Sequence, residues 1–167
     1  MKIVESNDWS LYRSTWQKCM KDYYWYKENP IFDWNKDEEL EEMESNFGKP
    51  GHVFLEAHNN GEIVGILGLR FRGKEASIRR WEPASVKHSK DYEIEQLLLL
   101  HGLNLLVEKG VKRAKVLIKY SADNRNAANH LLELYQNTGF ERYQPDGVDL
   151  IVELSKAPSY SHKAANV

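Results

Sequence analysis

The fold is decided by residues 110–140, which begin Gly110-Val-Lys-Arg-Ala-Lys-Val-Leu-Ile-Lys-Tyr-Ser-Ala-Asp-Asn-Arg125 and end Leu134-Tyr135-Gln-Asn-Thr-Gly139-Phe140. The apolar run from Ala114 to Tyr120 predicts a buried strand, and the polar residues after it predict a turn. A helix is predicted from Asn124 to Asn137, with Gly139 as its stop. This order places the hydroxyl of Tyr135 near the end of a helix, beside the end of a strand.

A three-stranded meander and a leucine-rich helix are predicted before this segment. The strands are residues 52–58, 62–70 and 76–86, and the first two are joined by Asn60-Gly61. This dipeptide supplies the positive φ angles that a tight hairpin turn needs, so the two strands should be antiparallel neighbours. Residues 94–109 are apolar on most faces, as expected for a helix that covers a sheet.

Two helices and a short edge strand are predicted at the start of the chain. Residues 2–5 form the strand, and Ser6-Asn-Asp8 opens a helix that runs to about Tyr26. Its apolar residues recur at helical spacing and give one buried face: Tyr12, Trp16, Cys19, Met20 and Tyr23. Residues 37–44 predict a short acidic helix. At the other end, residues 140–143 and 148–154 predict a final pair of strands.

Composition limits the class of protein. The chain has 167 residues, 41% of them hydrophobic, which suits one domain over residues 1–156, with a small, polar tail at 157–167 that should be disordered. Its net charge of -2 gives no attraction for nucleic acid or anionic lipid. The single cysteine, Cys19, excludes an internal disulfide and a cysteine cluster for zinc, so no metal is expected. With no apolar run of about 20 residues, a cytoplasmic location and no membrane contact are predicted.

The order of these elements resembles the GNAT (Gcn5-related) N-acetyltransferase superfamily. Three motifs carry the resemblance: Asn59-Asn-Gly-Glu-Ile-Val-Gly65, Ser121-Ala-Asp-Asn124, and Leu134-Tyr135-Gln-Asn-Thr-Gly139-Phe140. It implies an α/β fold with a mixed, largely antiparallel seven-stranded sheet, flanked by about four helices. Its two central strands should splay apart at their ends.

The resemblance also implies a site for acetyl-CoA. The pantetheine arm would lie between the splayed strands, and the pyrophosphate would lie at the N-terminus of the helix at 94–109, where backbone N–H groups and the helix dipole favour anions. The implied cofactor-binding residues are Ala84, Ser85, Val86, Lys87, Lys90, Ile94, Gln96, Asn124 and Ala127.

The pyrophosphate loop departs from the family pattern, because its glycines are replaced. Asp91, Glu93 and Glu95 occupy the glycine positions in one register, and Tyr92, Ile94 and Gln96 occupy them in the other. Carboxylates here would repel a pyrophosphate. In a protein without this ligand, the same carboxylates would simply stabilise the first helical turn. Basic side chains offer another way to hold the phosphates: Lys87, His88, Lys90, Lys112, Arg113 and Arg125.

Two residues are predicted to carry the chemistry. In the GNAT family the tyrosine of the Leu-Tyr pair acts as an acid toward the departing sulfur, which implies this role for Tyr135. Glu82 is the candidate base for the amine, because Ile78, Arg80 and Glu82 would share one face of the third meander strand. The alternatives are a packed tyrosine with its hydroxyl at the rim of the core, and a surface glutamate paired with an arginine.

Aromatic residues are concentrated near the N-terminus, where nine of the 19 lie between Trp9 and Trp34. In a GNAT-like fold this region borders the acceptor site, so Trp25, Tyr26, Phe32 and Trp34 are predicted to bind the substrate, including by cation–π contact with an ammonium. Packing of the helices against the sheet, or a homodimer interface, would explain the same cluster.

These observations predict an N-acetyltransferase that moves an acetyl group from acetyl-CoA to a primary amine of a small molecule or peptide by direct attack. The alternative is a catalytically degenerate GNAT-fold module that no longer uses acetyl-CoA. Such a module would bind a ligand or protein through its cleft and its aromatic N-terminal helices.

Overall fold

The computed structural model describes residues 1–20, 36–86, 91–118, 125–142 and 149–154. The elements in these residues are, in chain order, β1 (Lys2–Glu5), α1 (Trp9–Met20), α2 (Lys36–Asn46), β2 (His52–Asn59), β3 (Glu62–Arg72), β4 (Glu75–Ile78), β5 (Ala84–Ser85), α3 (Tyr92–Glu108), β6 (Arg113–Leu117), α4 (Arg125–Asn137), β7 (Glu141–Arg142) and β8 (Asp149–Glu153). The predicted fold class is confirmed. The predicted domain end at 156 and the tail lie outside the described residues.

The strands form one sheet in the order β1-β2-β3-β4-β6-β8-β7, with β5 paired to β3 beside this path. Every pairing is antiparallel except that of β4 with β6. The predicted hairpin joins β2 to β3 through Asn60 and Gly61, whose φ angles are 52° and 81°. Both values lie in the left-handed region, which asparagine and glycine tolerate best.

One predicted strand is wrong, because residues 76–86 do not form a single strand. β4 ends at Ile78, and β5 begins only at Ala84. Pro83 lies in the gap, and a proline has no N–H to donate to a strand ladder. Trp81 has a φ angle of 64°, which turns the chain out of the extended conformation. The sheet therefore has eight strands rather than seven, and Glu82 lies in a turn rather than on a strand face.

The helices cover both faces of the sheet, and alternate residues of β3 face different helices. A Cβ atom on Gly65 would lie 2.9 Å from Ile94 and 3.0 Å from Leu98, so only glycine permits this approach of α3 to β3. On the opposite face, Arg70 lies 3.9 Å from Glu42 of α2. The sheet thus separates an α3 face from an α2 face.

The predicted apolar face of α1 is confirmed in its described part, since Tyr12, Trp16, Cys19 and Met20 are all buried. The predicted extension of this helix to Tyr26 lies outside the described residues. No helix in the described ranges has the length and apolar character needed to cross a membrane.

Candidate functional site

The two central strands part after a short parallel pairing. β4 and β6 are joined through three residue pairs, of which the last is Ser77 with Lys115. Beyond that pair, β5 follows β3, with Gly65 opposite Ser85. β6 continues to Leu117, where its partner is β8. We call the opening beyond Ser77 and Lys115 the fork, and it confirms the predicted splay of the central strands.

Glu82 places a carboxyl group in the protein interior between α1 and β3. Its side chain is fully buried, and its Oε1 atom accepts hydrogen bonds from the Gly68 N–H at 2.6 Å and from the Tyr12 hydroxyl at 3.3 Å. Among the described residues, no group hydrogen-bonds its Oε2 atom. Burial raises the pKa of Glu82 to about 7, although the positive charge of Arg79 acts in the opposite direction. At neutral pH this carboxyl can both accept and release a proton.

Tyr135 of α4 lies against the main chain of Glu82. Its hydroxyl donates to the Glu82 carbonyl oxygen, and its ring packs edge-on against Phe140 with centroids 4.9 Å apart. Burial raises the pKa of Tyr135 well above its ordinary value, so the hydroxyl stays protonated. The structure therefore brings both predicted catalytic residues together. The hydroxyl is in the interior rather than at the rim.

Two residues that support Glu82 were not predicted from the sequence. Tyr12 was assigned only to the core, and its hydroxyl contact spans 70 positions of the chain. Arg79 is buried and pairs with Glu39 at 3.2 Å and with Glu42, both on α2. The strongly acidic character of that helix was the one sequence signal for a buried cation. These ion pairs hold α2 next to the turn that contains Glu82.

The three acidic residues at the start of α3 have different surroundings. Asp91 is the N-cap, and its carboxylate accepts from the Ile94 N–H at 3.3 Å. Glu95 is buried, where it accepts from the Ser85 hydroxyl at 3.2 Å and pairs with His130 of α4. Glu93 is exposed. The expectation that three carboxylates face a pyrophosphate is therefore wrong for Glu95, since that side chain points into the protein.

The other predicted cofactor-binding residues lie near the fork or outside the described ranges. Ala84 and Ser85 are buried on β5, and the Val86 N–H donates to the Val64 carbonyl at 3.0 Å. Ile94 packs over Gly65, Gln96 is half-buried, and Ala127 is buried on α4. The predicted residues outside the described part of the chain are Lys87, His88, Lys90, Asn124, Trp25, Tyr26, Phe32 and Trp34.

Two of the basic residues that were predicted to bind phosphates lie far from the first turn of α3. Lys112 and Arg113 follow the C-terminal end of α3, which is 17 residues long and so about 25 Å from its first turn. Arg113 pairs instead with Glu153 at 2.7 Å. The expectation that these side chains hold phosphates at the start of α3 is therefore wrong.

The solved structures that are similar to this chain include an acetyltransferase complexed with coenzyme A and the following three acetyltransferases. The first is the aminoglycoside 6'-N-acetyltransferase from Enterococcus faecium, with 14% identity, a TM-score of 0.62, and coverage of 92% of this chain and 97% of that one. A GNAT family acetyltransferase from Staphylococcus aureus Mu50 has 21% identity, a TM-score of 0.63, and coverage of 92% and 98%. A GNAT family acetyltransferase from Brucella melitensis in complex with acetyl-CoA has 15% identity, a TM-score of 0.60, and coverage of 91% and 86%.

This chain has the GNAT fold. No family model matches it, and neither does any curated protein. The GNAT fold explains the fork, which opens between the two central strands as the resemblance implied. Within that fold, Glu82 lies in the turn between β4 and β5, and Tyr135 of α4 contacts the main chain of this turn.

Proposed function

We propose that this protein transfers an acetyl group from acetyl-CoA to a primary amine. The observation that carries the proposal is the contact of Tyr135 with the turn that holds Glu82, beside a fork between two central strands. One similar structure is in complex with acetyl-CoA and another with coenzyme A, which supports this choice of donor. The similar structures are acetyltransferases, which favours this function over a degenerate binding module.

Glu82 would act as the base toward the amine. An alkylammonium must lose a proton before its nitrogen can attack the thioester carbonyl carbon. The Oε2 atom of Glu82 has no described hydrogen-bond partner, so it is free to accept that proton, directly or through one water. A pKa of about 7 leaves a substantial fraction of this carboxyl ionised at neutral pH. The new C–N bond then forms while the C–S bond breaks, and the second proton lost by the attacking nitrogen passes to the departing thiolate, which leaves an amide and the free thiol of CoA.

Tyr135 would stabilise the departing sulfur. A thiol has an ordinary pKa of about 8.5, so its thiolate is a weaker base than a tyrosinate whose pKa is raised further by burial. The tyrosine therefore serves as a hydrogen-bond donor to the thiolate more readily than as a full proton donor. To do so, its hydroxyl must turn away from the Glu82 carbonyl. Both groups are shielded from solvent, so substrate entry requires the residues that cover them to move.

A CoA-binding and turnover experiment tests this function. Purified protein is titrated calorimetrically with CoA, and thiol release from acetyl-CoA is followed with a panel of primary amines. We expect binding, and turnover that falls at least about a hundredfold in Glu82→Gln. Glu62→Gln is the matched control, because Glu62 is exposed at the distant β2–β3 hairpin. Absence of binding heat at millimolar CoA would reject the proposal.

A further inference from the structure

A cavity opens on the α2 face of the sheet, at the closed end of the fork. Its volume is about 350 Å³, and it is lined by Gly51, His52, Arg70, Phe71, Arg72, Glu75, Ser77 and Lys115. We call it the corner cavity.

Sheet register explains why these side chains meet. His52 is opposite Arg70, Arg70 is opposite Ser77, and Ser77 is opposite Lys115. Residues paired across neighbouring strands project from the same face, and the contact of Arg70 with Glu42 identifies it as the α2 face. Because Ser77 and Lys115 also form the last pair before the fork, the corner cavity begins where the fork begins.

The corner cavity is positively charged, although the whole chain carries a net charge of -2. Arg70, Arg72 and Lys115 line it together with one carboxylate, Glu75, which lies 3.7 Å from Arg113. Arg70 is partly compensated by Glu42, which lies 3.9 Å away on α2. In the described part of the chain, Arg72 and Lys115 have no carboxylate partner within ion-pair distance. A cavity lined in this way attracts anions, and arginine suits carboxylate and phosphate groups in particular.

His52 also lines the corner cavity, beside the three basic residues. Its Nδ1 atom is buried and has no hydrogen-bond partner among the described residues, so this nitrogen is not accessible from the cavity. Burial, followed by the charge of Arg79, lowers the pKa of His52, so its imidazole is neutral at pH 7. A neutral imidazole can donate one hydrogen bond to an oxyanion.

We propose that the corner cavity binds an anionic group, a carboxylate or a phosphate, carried by the amine acceptor. This inference rests on the proposed acetyl transfer, and it names the acceptor class as an amine with an acidic group. The cavity is at the closed end of the fork, whereas the start of α3 follows β5 at its open end. An acceptor held here by its anion would point its amine toward the fork, from the side opposite the expected phosphates of CoA.

Matched acceptor pairs test the proposal. Turnover is measured with phosphoethanolamine against ethanolamine, and with β-alanine against β-alaninamide, for the wild-type protein and for Arg72→Gln/Lys115→Gln. We expect the wild type to favour the anionic member of at least one pair. In the double variant, kcat/KM for that member should fall at least about tenfold, while the neutral member stays within about twofold. Arg142→Gln, an exposed position on β7, should change neither.

Three outcomes separate the possible failures. Turnover with no preference for the anionic members, and with no effect of the double variant, would overturn the acceptor class and keep acetyl transfer. A raised KM for acetyl-CoA in the double variant would assign the cavity to CoA phosphates and overturn the proposal. Calorimetric binding of phosphoethanolamine that the double variant loses, without turnover of any amine, would overturn acetyl transfer and keep the anion site. Circular dichroism shows whether each variant is folded.

Discussion

At the scale of single residues, Glu82 shows how burial can tune a carboxyl group. Its Oε1 atom has two donors and its Oε2 atom has none among the described residues. Ionising a carboxyl inside a protein is unfavourable, and two hydrogen bonds to one oxygen compensate only part of that cost. The sequence predicted Glu82 as a site residue, but it did not predict that the carboxyl would be buried and hydrogen-bonded. Its partners, Gly68 and Tyr12, lie far from Glu82 along the chain.

The first prediction concerns the stability of Glu82→Gln as a function of pH. The pKa of Glu82 is raised from 4.5 to about 7 by burial, so the folded state holds a proton that the unfolded state releases between these values. Wild-type stability should therefore fall as pH rises from about 5 to 8, by up to about 3 kcal/mol relative to Glu82→Gln. Urea unfolding of both proteins at pH 5 and pH 8 measures the difference. Parallel pH profiles would contradict the raised pKa.

The second prediction concerns Tyr135→Phe, which keeps the ring and removes the hydroxyl. The buried Glu82 carbonyl loses its donor, so unfolding free energy should fall by about 1–3 kcal/mol. If the hydroxyl also stabilises the leaving sulfur, kcat should fall at least tenfold while the Kd for CoA changes little. Steady-state kinetics and calorimetry separate these effects. An equal loss in CoA affinity would indicate a packing role instead.

At the scale of elements, the sequence predicted helices and the hairpin better than the strand that carries the site. Helical spacing in α1 and the Asn60-Gly61 turn are local signals, and the structure confirms both. The break between β4 and β5 depends on Pro83 and on the hydrogen bond from the Arg79 N–H to the Gly68 carbonyl, at 3.0 Å. The second of these is a tertiary contact, which alternation along one strand does not reveal.

Glu95 illustrates the same limit at the start of α3. From the sequence, Glu95 is one of several acidic residues in a first helical turn. In the fold, its contacts with Ser85 and His130 connect α3 to β5 and α4. The side chain of Glu95 is 2% exposed. This network connects α3 to β5 and α4 at the open end of the fork.

The third prediction tests that network with a double variant. His130→Ala removes the partner of a buried carboxylate, and we expect it to lower unfolding free energy by about 3 kcal/mol. His130→Ala/Glu95→Gln removes the charge as well, so it should recover at least half of that loss. Chemical unfolding of the two variants and of Glu95→Gln completes the cycle. If the double variant is no more stable than His130→Ala, the pair contributes nothing beyond packing.

At the scale of the whole molecule, the order of the helices and strands was enough to predict the GNAT fold. Each of the three motifs is weak alone, but they occur along the chain in the order that this fold requires. The site was predicted less completely. Tyr135 and Glu82 were named, whereas the corner cavity was not, because its residues come from β2, β3, β4 and β6 and meet only through sheet register. No local pattern joins positions so far apart.

The last prediction concerns CoA binding and the charge at the start of α3. Replacing Asp91, Glu93 and Glu95 together would remove a cap and a buried ion pair, so it could not isolate repulsion of the phosphates. Glu93 is the exposed member, and Glu93→Gln removes one like charge with little loss of packing. We expect this variant to bind CoA several-fold more tightly, with the largest gain at low salt.

Thermal unfolding with and without CoA measures this effect. At a CoA concentration of a hundred times Kd, wild-type stability should rise by about 2.7 kcal/mol, which corresponds to roughly 5–10 °C in Tm for a domain of this size. At that same concentration, Glu93→Gln should gain more than the wild type, whereas Glu41→Gln, an exposed position on α2, should match the wild type. Equal shifts for all three proteins would place the CoA phosphates away from Glu93, because a charge in contact with them cannot be removed without changing their affinity.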